Sequence, residues 1–295
     1  MAATAIRTSA ERLACLICDN LNSANQVLCK VCAAPLQLTR STLDQGRAPC
    51  LVTVLGDSNV GKTVYLGFLL DMLSQRTQDF EALPRDARSV DLPQTVISHM
   101  AWRMFPPKTP MEANQWNWAC YEVTRRGRGG RVIDLVTPDL PGEAIAAEFT
   151  SPATFKIIQS LLNKAAGVLL LVDAAQAAHG SSQPDFFALK TLSYIESCTN
   201  QAGKRRITTP LAIVLTKADY VPECFDDPHQ FARANLSRLW NMRERRCSRA
   251  EFFASSVVGA LGFATRAGEQ AVRPLPLHTA LRGIVEPFEW IVAQL

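Results

Sequence analysis

Short apolar runs alternate with longer stretches of helical spacing from about residue 50 to the end of the chain. The runs Leu51–Leu55, Trp116–Thr124, Arg131–Val136, Gly167–Val172, Pro210–Leu215 and the short Glu251–Ala254 read as buried strands. Between them the spacing predicts helices from Lys62 to about Arg76, from about Ala153 to Ala165, from about Asp185 to Thr199, near Pro228 to Asn241, and from about His278 to Ala293. Such alternation predicts an α/β fold: a mostly parallel sheet flanked by helices. Only the strands joined by the Arg125–Gly130 turn read as an antiparallel pair, since a short Gly and Arg loop cannot form a parallel crossover. Residues 77–111 are the least regular part, broken by Pro84, Pro93, Pro106, Pro107 and Pro110 around a helical patch near Thr95–Phe105.

The first 49 residues differ in character. Cys15-x₂-Cys18 and Cys29-x₂-Cys32 stand ten residues apart, a spacing that lets two knuckles present four thiolates tetrahedrally to Zn²⁺. A segment this short buries no core of its own, so the metal would supply its folding energy. The expected organisation is a zinc module over 10–36, a polar and patternless linker over 37–49 closed by Pro49, and one domain over 50–295. Cys50, Cys120, Cys198, Cys224 and Cys247 lack ligand spacing and read as buried thiols.

Composition narrows the setting. With 47% hydrophobic and 20% charged residues, the 295-residue chain can bury one large core. A net charge of +4 is too mild to imply nucleic acid or membrane as a partner, and the arginine runs 125–131 and 243–246 read as solvated faces. The stretch Met1–Arg12 has no secretory pattern, and the longest apolar run, Gly167–Ala175, is about half of what a bilayer span needs. A cytoplasmic protein without a membrane span is expected, its cysteines reduced.

Chemistry enters at Gly56-Asp57-Ser58-Asn59-Val60-Gly61-Lys62-Thr63, a full GxxxxGKT between a strand and a helix. Its backbone amides and helix N-terminus suit phosphate oxygens, Lys62 the β- and γ-phosphates, and the Thr63 hydroxyl Mg²⁺. Asp139-Leu140-Pro141-Gly142 follows a strand and reads as DxxG, with Asp139 serving Mg²⁺ through water and the Gly142 amide sensing the γ-phosphate. Thr216-Lys217-Ala218-Asp219 closes the second strand after that motif. Asp219 there can accept from guanine N1–H and the exocyclic amine, a donor pair adenine lacks, with the Lys217 stem over the ring. Ser255 and Ser256 are candidates for the loop contacting the guanine oxygen. Thr109 is the candidate switch threonine completing Mg²⁺ coordination, with Thr95 and Thr77 as competitors.

These motifs together resemble the translation-factor-related and Ras-like class of P-loop GTPases over roughly Cys50 to Leu295. DLPGE with a C-terminal helix is similar to the bacterial double-GTPase families of predicted conflict and signalling systems. The resemblance implies GTP hydrolysis to GDP and phosphate, a switch cycle and a protein partner. Ras-like members carry a glutamine after DxxG, where this chain has Glu143, so repulsion toward the γ-phosphate predicts slow turnover. Arg85, Arg88 and Arg103 lie in the irregular segment, and none is assignable as an arginine finger. Asn59 stands where K⁺-using GTPases carry an asparagine, so either it ligates K⁺ or it tolerates a strained loop conformation. Cys18-x₃-Asn22-x₆-Cys29 resembles RanBP2-type zinc fingers, with Leu13 in place of their tryptophan. The weakly charged knuckle favours protein docking or a structural role over RNA. Two further readings stay open: a GTP-binding scaffold with negligible turnover, and an RNA- or ribosome-associated GTPase.

Overall fold

The computed structural model describes residues 12–46, 49–75, 80–126, 132–199, 206–265 and 272–295. In chain order, β1 (Arg12–Ala14), β2 (Leu21–Ser23) and α1 (Leu36–Gln45) precede β3 (Cys50–Gly56), α2 (Lys62–Ser74), β4 (Phe80–Pro84) and α3 (Arg88–Ala101). Then come β5 (Trp118–Arg125), β6 (Val132–Pro138), α4 (Gly142–Thr150), α5 (Lys156–Lys164), β7 (Gly167–Asp173), α6 (Ala174–Ala178) and α7 (Gln183–Thr199). The chain continues through β8 (Leu211–Thr216), α8 (Glu223–Asp226), α9 (Pro228–Asn235), α10 (Ser237–Arg246), β9 (Ala250–Ala254), β10 (Ser256–Thr265), β11 (Val272–Arg282) and α11 (Glu286–Ala293).

Seven strands form one sheet in the order β4-β5-β6-β3-β7-β8-β9. The links from β6 to β9 are parallel, and the β4–β5 and β5–β6 pairs are antiparallel. Strand pleating divides the core in two. Leu51, Leu55, Val168, Leu170, Leu211 and Ile213 face one apolar cluster with α5 and α7, while Val52, Val54, Leu169, Leu171, Ala212 and Val214 face another with α2, α3 and α11. Both faces of the central strands are therefore buried, which is why they read as nearly continuous apolar runs, broken in β3 only by the buried Thr53. Among the described residues, no helix is long and apolar enough to cross a membrane.

Several expectations need correction. The final helix is only Glu286–Ala293, because residues from His278 to Arg282 belong to β11, which pairs antiparallel with β10 in a separate hairpin. β4 adds a second antiparallel pair to the main sheet beside β5–β6, whose connecting residues 127–131 lie outside the described residues, as does Thr77. The helix expected over Pro228–Asn241 is two helices meeting at Leu236. The segment read as a linker is helical over Leu36–Gln45, where Leu36, Thr39 and Thr42 are buried. Two threonines on the inward face hide that amphipathic pattern, and each hydroxyl is hydrogen-bonded: Leu16 N–H donates to Thr39 Oγ1 at 2.9 Å, and Thr42 Oγ1 donates to Leu38 O at 2.9 Å.

The helical patch near Thr95–Phe105 is in fact α3, which starts at Arg88 and runs through Pro93. Pro93 lacks the N–H that would serve the Ser89 carbonyl. Tyr121 Oη, on the neighbouring strand β5, donates to that carbonyl instead at 2.8 Å. Tyr121→Phe should therefore lower stability by about 1–2 kcal/mol, and by clearly less in a Pro93→Ala background that restores the helical donor. Denaturant unfolding of the four proteins in this cycle checks it, and equal losses in both backgrounds would remove the explanation.

Candidate functional site

Strands β3, β6, β7, β8 and β9 point the same way, so the loops after them gather at one edge of the sheet. A cavity of about 790 Å³ opens there, lined by the loop after β3, residues 105–109, Leu140–Glu143, Asp173, Thr216, Lys217, Asp219 and Ser255–Val258. Residues Ser58 to Thr63 of the phosphate loop form one wall. Gly61 has a φ of +97°, a conformation that costs a side-chain residue strain, and α2 begins immediately after it without a side-chain cap. The first amides of α2 thus remain available to an anion. Asn59 has a φ of +61°, a left-handed conformation that asparagine tolerates, and this supplies a conformational reason for the residue.

Lys62 is 8% exposed, and its ammonium donates to Asp57 O at 2.7 Å. Burial pulls it down to about 8, against the opposing pull of Asp139, Glu143 and Asp57. Beside it, Thr63 Oγ1 donates toward Asp139 at 3.0–3.1 Å, Thr109 Oγ1 donates to Asp139 Oδ2 at 2.8 Å, and the two threonine oxygens lie 3.1 Å apart. Octahedral Mg²⁺ with oxygens at about 2.1 Å has cis edges of about 3.0 Å, so the Thr63 and Thr109 hydroxyls fit two cis ligand positions, with Asp139 beside them to accept from a ligand water. Asp139 is 2% exposed, and burial raises its pKa, opposed by the hydrogen bonds from Thr109 and Thr63 and by the charge of Lys62. Thr95, by contrast, sits within α3, away from the cavity lining.

Gly142 starts α4 in direct contact with the phosphate loop: a Cβ there would lie 2.4 Å from Ser58 N. The next residue, Glu143, accepts from Ser58 Oγ at 2.6 Å and pairs with Lys108 Nζ at 3.2 Å. The Ser58 hydrogen bond first, then its own backbone N–H and Lys108, hold its carboxyl down at about 2 against the opposing effect of burial. The carboxylate expected to repel the γ-phosphate is thus firmly ionised, with Lys108 as its exposed counter-charge. Arg85 is engaged with Glu122 and, at 2.7 Å, with Asp134, and Arg85, Arg88 and Arg103 are all absent from the cavity wall.

On the other side, Thr216 Oγ1 donates to Val60 O at 3.0 Å and so ties the TKxD loop to the phosphate loop. Asp219 Oδ1 accepts from Ser256 Oγ at 3.0 Å, and Ala218 N–H donates to Ser255 O at 3.2 Å. Lys217 Nζ meets Asp173 Oδ2 at 2.5 Å, with Asp173 itself 4% exposed at the end of β7.

The four cysteine sulfurs of the N-terminal segment lie within 4.8 Å of one another, with Cys15–Cys32 and Cys18–Cys29 each at 3.6 Å. Tetrahedral zinc thiolates at about 2.3 Å place sulfurs about 3.8 Å apart, so the cluster fits a zinc module. The two knuckles match in geometry: Asp19 N–H donates to Cys15 O and Ala33 N–H to Cys29 O, with Asp19 and Ala33 both at positive φ. Asn22 is buried, its amide donating to Cys29 Sγ at 3.5 Å while its oxygen accepts from Lys30 N–H at 3.0 Å. Leu13 packs into the core, and Lys164 at the end of α5 donates to Leu16 O at 2.8 Å and to Asp19 Oδ1 at 2.6 Å.

A family model described as Double-GTPase 1 matches residues 53–212, more than half of the chain. The chain belongs to the Double-GTPase 1 family. A comparison with curated proteins finds no match. Solved structures similar to it include the GTPase-like domain of Ski7 from S. cerevisiae bound to GTP, at 16% identity and a TM-score of 0.42, covering 74% of this chain and 44% of that one. Another is the signal recognition particle receptor SRβ-GTP/SRX complex from Chaetomium thermophilum, at 15% identity and a TM-score of 0.37, covering 72% and 93%. A third is a GTP-binding protein from Sulfolobus solfataricus in complex with GDP, at 11% identity and a TM-score of 0.34, covering 74% and 51%. The chain spans less than half the length of the Ski7 chain.

Three features of this Double-GTPase 1 domain escape sequence reasoning. Asp173 closes an apolar strand and N-caps α6 through Gln176 N–H at 3.0 Å, and only the fold brings Lys217 to it. Lys108 and Ser58 meet Glu143 across long separations in sequence, which no local pattern shows. Val257, Val258, Leu261 and Pro274 of the hairpin also line the cavity. The lowered Lys62 yields a prediction with a definite sign. A bound triphosphate restores its charge, so above pH 8 binding should take up as much as one proton, and affinity should fall as pH rises through that value. Calorimetry at pH 8.5 in buffers of different ionisation enthalpy measures this uptake, and zero uptake would contradict it.

Proposed function

We propose that this chain is a Mg²⁺-dependent GTPase that converts GTP to GDP and phosphate and works as a switch toward a protein partner. The convergence of Thr63, Thr109 and Asp139 oxygens within 3.1 Å at the head of α2 carries this reading, because it joins phosphate loop, irregular segment and DxxG at one point. These three residues would hold Mg²⁺, which when bound offsets charge on the β- and γ-phosphate oxygens. Lys62 and the amides of Gly56–Thr63 bind the phosphates, Gly142 faces the γ-phosphate, and Asp219 with Lys217, Ser255 and Ser256 reads guanine. The exposed Trp102, Met104, Phe105 and Met111, in and beside the segment carrying Thr109, favour a protein partner that senses its position. We place the protein in the cytoplasm, where reducing conditions suit its thiols.

A second reading, a GTP-binding scaffold with negligible turnover, is favoured by the hold of Ser58 on Glu143. Purified protein with Mg²⁺ should bind GTP at least about tenfold more tightly than ATP and release phosphate, with Lys62→Ala slowing release on the order of 10²-fold. Binding without release gives the scaffold, and equal competition by ATP overturns the guanine assignment.

The module made by Cys15, Cys18, Cys29 and Cys32 would hold one structural Zn²⁺, whose binding supplies folding energy to residues that bury little on their own. Elemental analysis should return one zinc per chain, and Cys29→Ser should lose it together with the near-ultraviolet signature of the folded segment. A zinc-free wild-type protein with unchanged unfolding would rule this out.

A further inference from the structure

The segment carrying Thr109 reaches the cavity held at three points. Thr109 Oγ1 donates to Asp139 at 2.8 Å, Trp116 Nε1 donates to Pro110 O at 3.0 Å, and Lys108 Nζ lies 3.2 Å from Glu143 Oε1. That same oxygen accepts from Ser58 Oγ at 2.6 Å, so Lys108, Glu143 and the phosphate loop form one unit. The Lys108 side chain is 71% exposed, and ion pairs so exposed contribute little to stability. Position is what distinguishes this pair. Glu143 follows Gly142, which packs on the Ser58 backbone, and Lys108 precedes a metal-triad threonine, so the ammonium is on the phosphate side of the cavity. Among the described residues, no arginine lines this cavity; its lysines are Lys62, within the phosphate loop, Lys217, paired with the 4% exposed Asp173, and Lys108, paired with the more exposed Glu143.

We propose that Lys108 is the cation that this chain supplies in cis to the γ-phosphate during hydrolysis, with Glu143 and Ser58 as its positioning residues. The proposal rests on the reading of the chain as a GTPase. In the step it assists, the water oxygen bonds to the γ-phosphorus while the bond from phosphorus to the β–γ bridging oxygen breaks. That electron pair stays on GDP, and the protons of water leave with inorganic phosphate and to solvent. Lys108 keeps its own protons and acts by charge alone, where negative charge spreads over the γ-phosphoryl oxygens. Glu143 fixes the position of the ammonium through a pair that is exposed and therefore weak enough to leave the cation free to face the phosphate. A cation already present in cis makes K⁺ at Asn59 unnecessary.

Single-turnover phosphate release by the full chain, with GTP affinity measured on the same samples, tests this for wild type, Lys108→Arg, Lys108→Ala, Glu143→Gln and the double variant. Lys108→Ala should release phosphate about 10²-fold more slowly, with GTP affinity within about threefold of wild type. Lys108→Arg should retain most of the rate, and added ethylammonium should partly restore Lys108→Ala. Glu143→Gln combined with Lys108→Ala should lose less than the product of the single effects, and wild-type rates should match in K⁺ and Na⁺. A Lys108→Ala rate within twofold of wild type, a parallel loss of GTP binding, or a wild-type rate requiring K⁺ overturns the assignment. Wild-type protein that binds GTP but releases no phosphate overturns the hydrolysis reading and this proposal with it. Normal wild-type turnover with an unaffected Lys108→Ala overturns the role of Lys108 alone.

Discussion

Burying a carboxylate is expensive unless partners surround it, and Asp139, 2% exposed at the end of a strand, imposes that requirement on everything near it. The partners come from three separate stretches of chain: Thr63 at the head of α2, Thr109 from the irregular segment, and the charge of Lys62. Satisfying one acid therefore assembles the phosphate loop, the DxxG turn and the proline-rich segment around a single point. The Asp139 N–H, donating to Asn117 O at 2.9 Å, fixes the backbone that carries it. Oxygens packed this way satisfy one another through hydrogen bonds, and the same spacing suits a small divalent cation.

The base side follows the same logic with different residues. Asp173 and Asp219 are held by Lys217 and Ser256 respectively, so each acid at the strand ends meets a donor from an adjacent loop. The hairpin that grows from Ser256 is pinned where it returns to the body, beside the Ser256–Arg282 pair, by the buried Tyr65 hydroxyl of α2 donating to Ile284 O at 2.8 Å. Base loop and phosphate-loop helix thus share an anchor.

What the sequence reveals follows from how local each signal is. GxxxxGKT, DxxG and TKxD are contiguous and punctuated by strand ends, and the central strands are nearly continuous apolar runs because both faces are covered. The four cysteines are legible because metal ligation demands a spacing. The end of β11 reads as helix because Pro274 and Pro276 interrupt the strand, which an isolated hairpin tolerates, and because HTALR also suits a helix. Helix α1 is hidden because its inward positions include threonines, and α3 shows only its second half because Pro93 reads as a breaker until Tyr121 is found beside it. The Ser58–Glu143–Lys108 unit spans 85 residues of separation and exists only once the fold is made.

The N-terminal module is seated by Lys164, the last residue of α5, which leads within three residues into β7, and β7 ends at Asp173 in the cavity wall. One continuous run of chain thus has the cysteine cluster at its near end and the ion-pair partner of Lys217 at its far end. The exposed Leu21, Val27 and Val31 of the module consequently face outward at a bearing fixed by the body of the protein rather than by a tether. A molecule grasping that face would hold the nucleotide cavity in a defined orientation, as a handle does a tool.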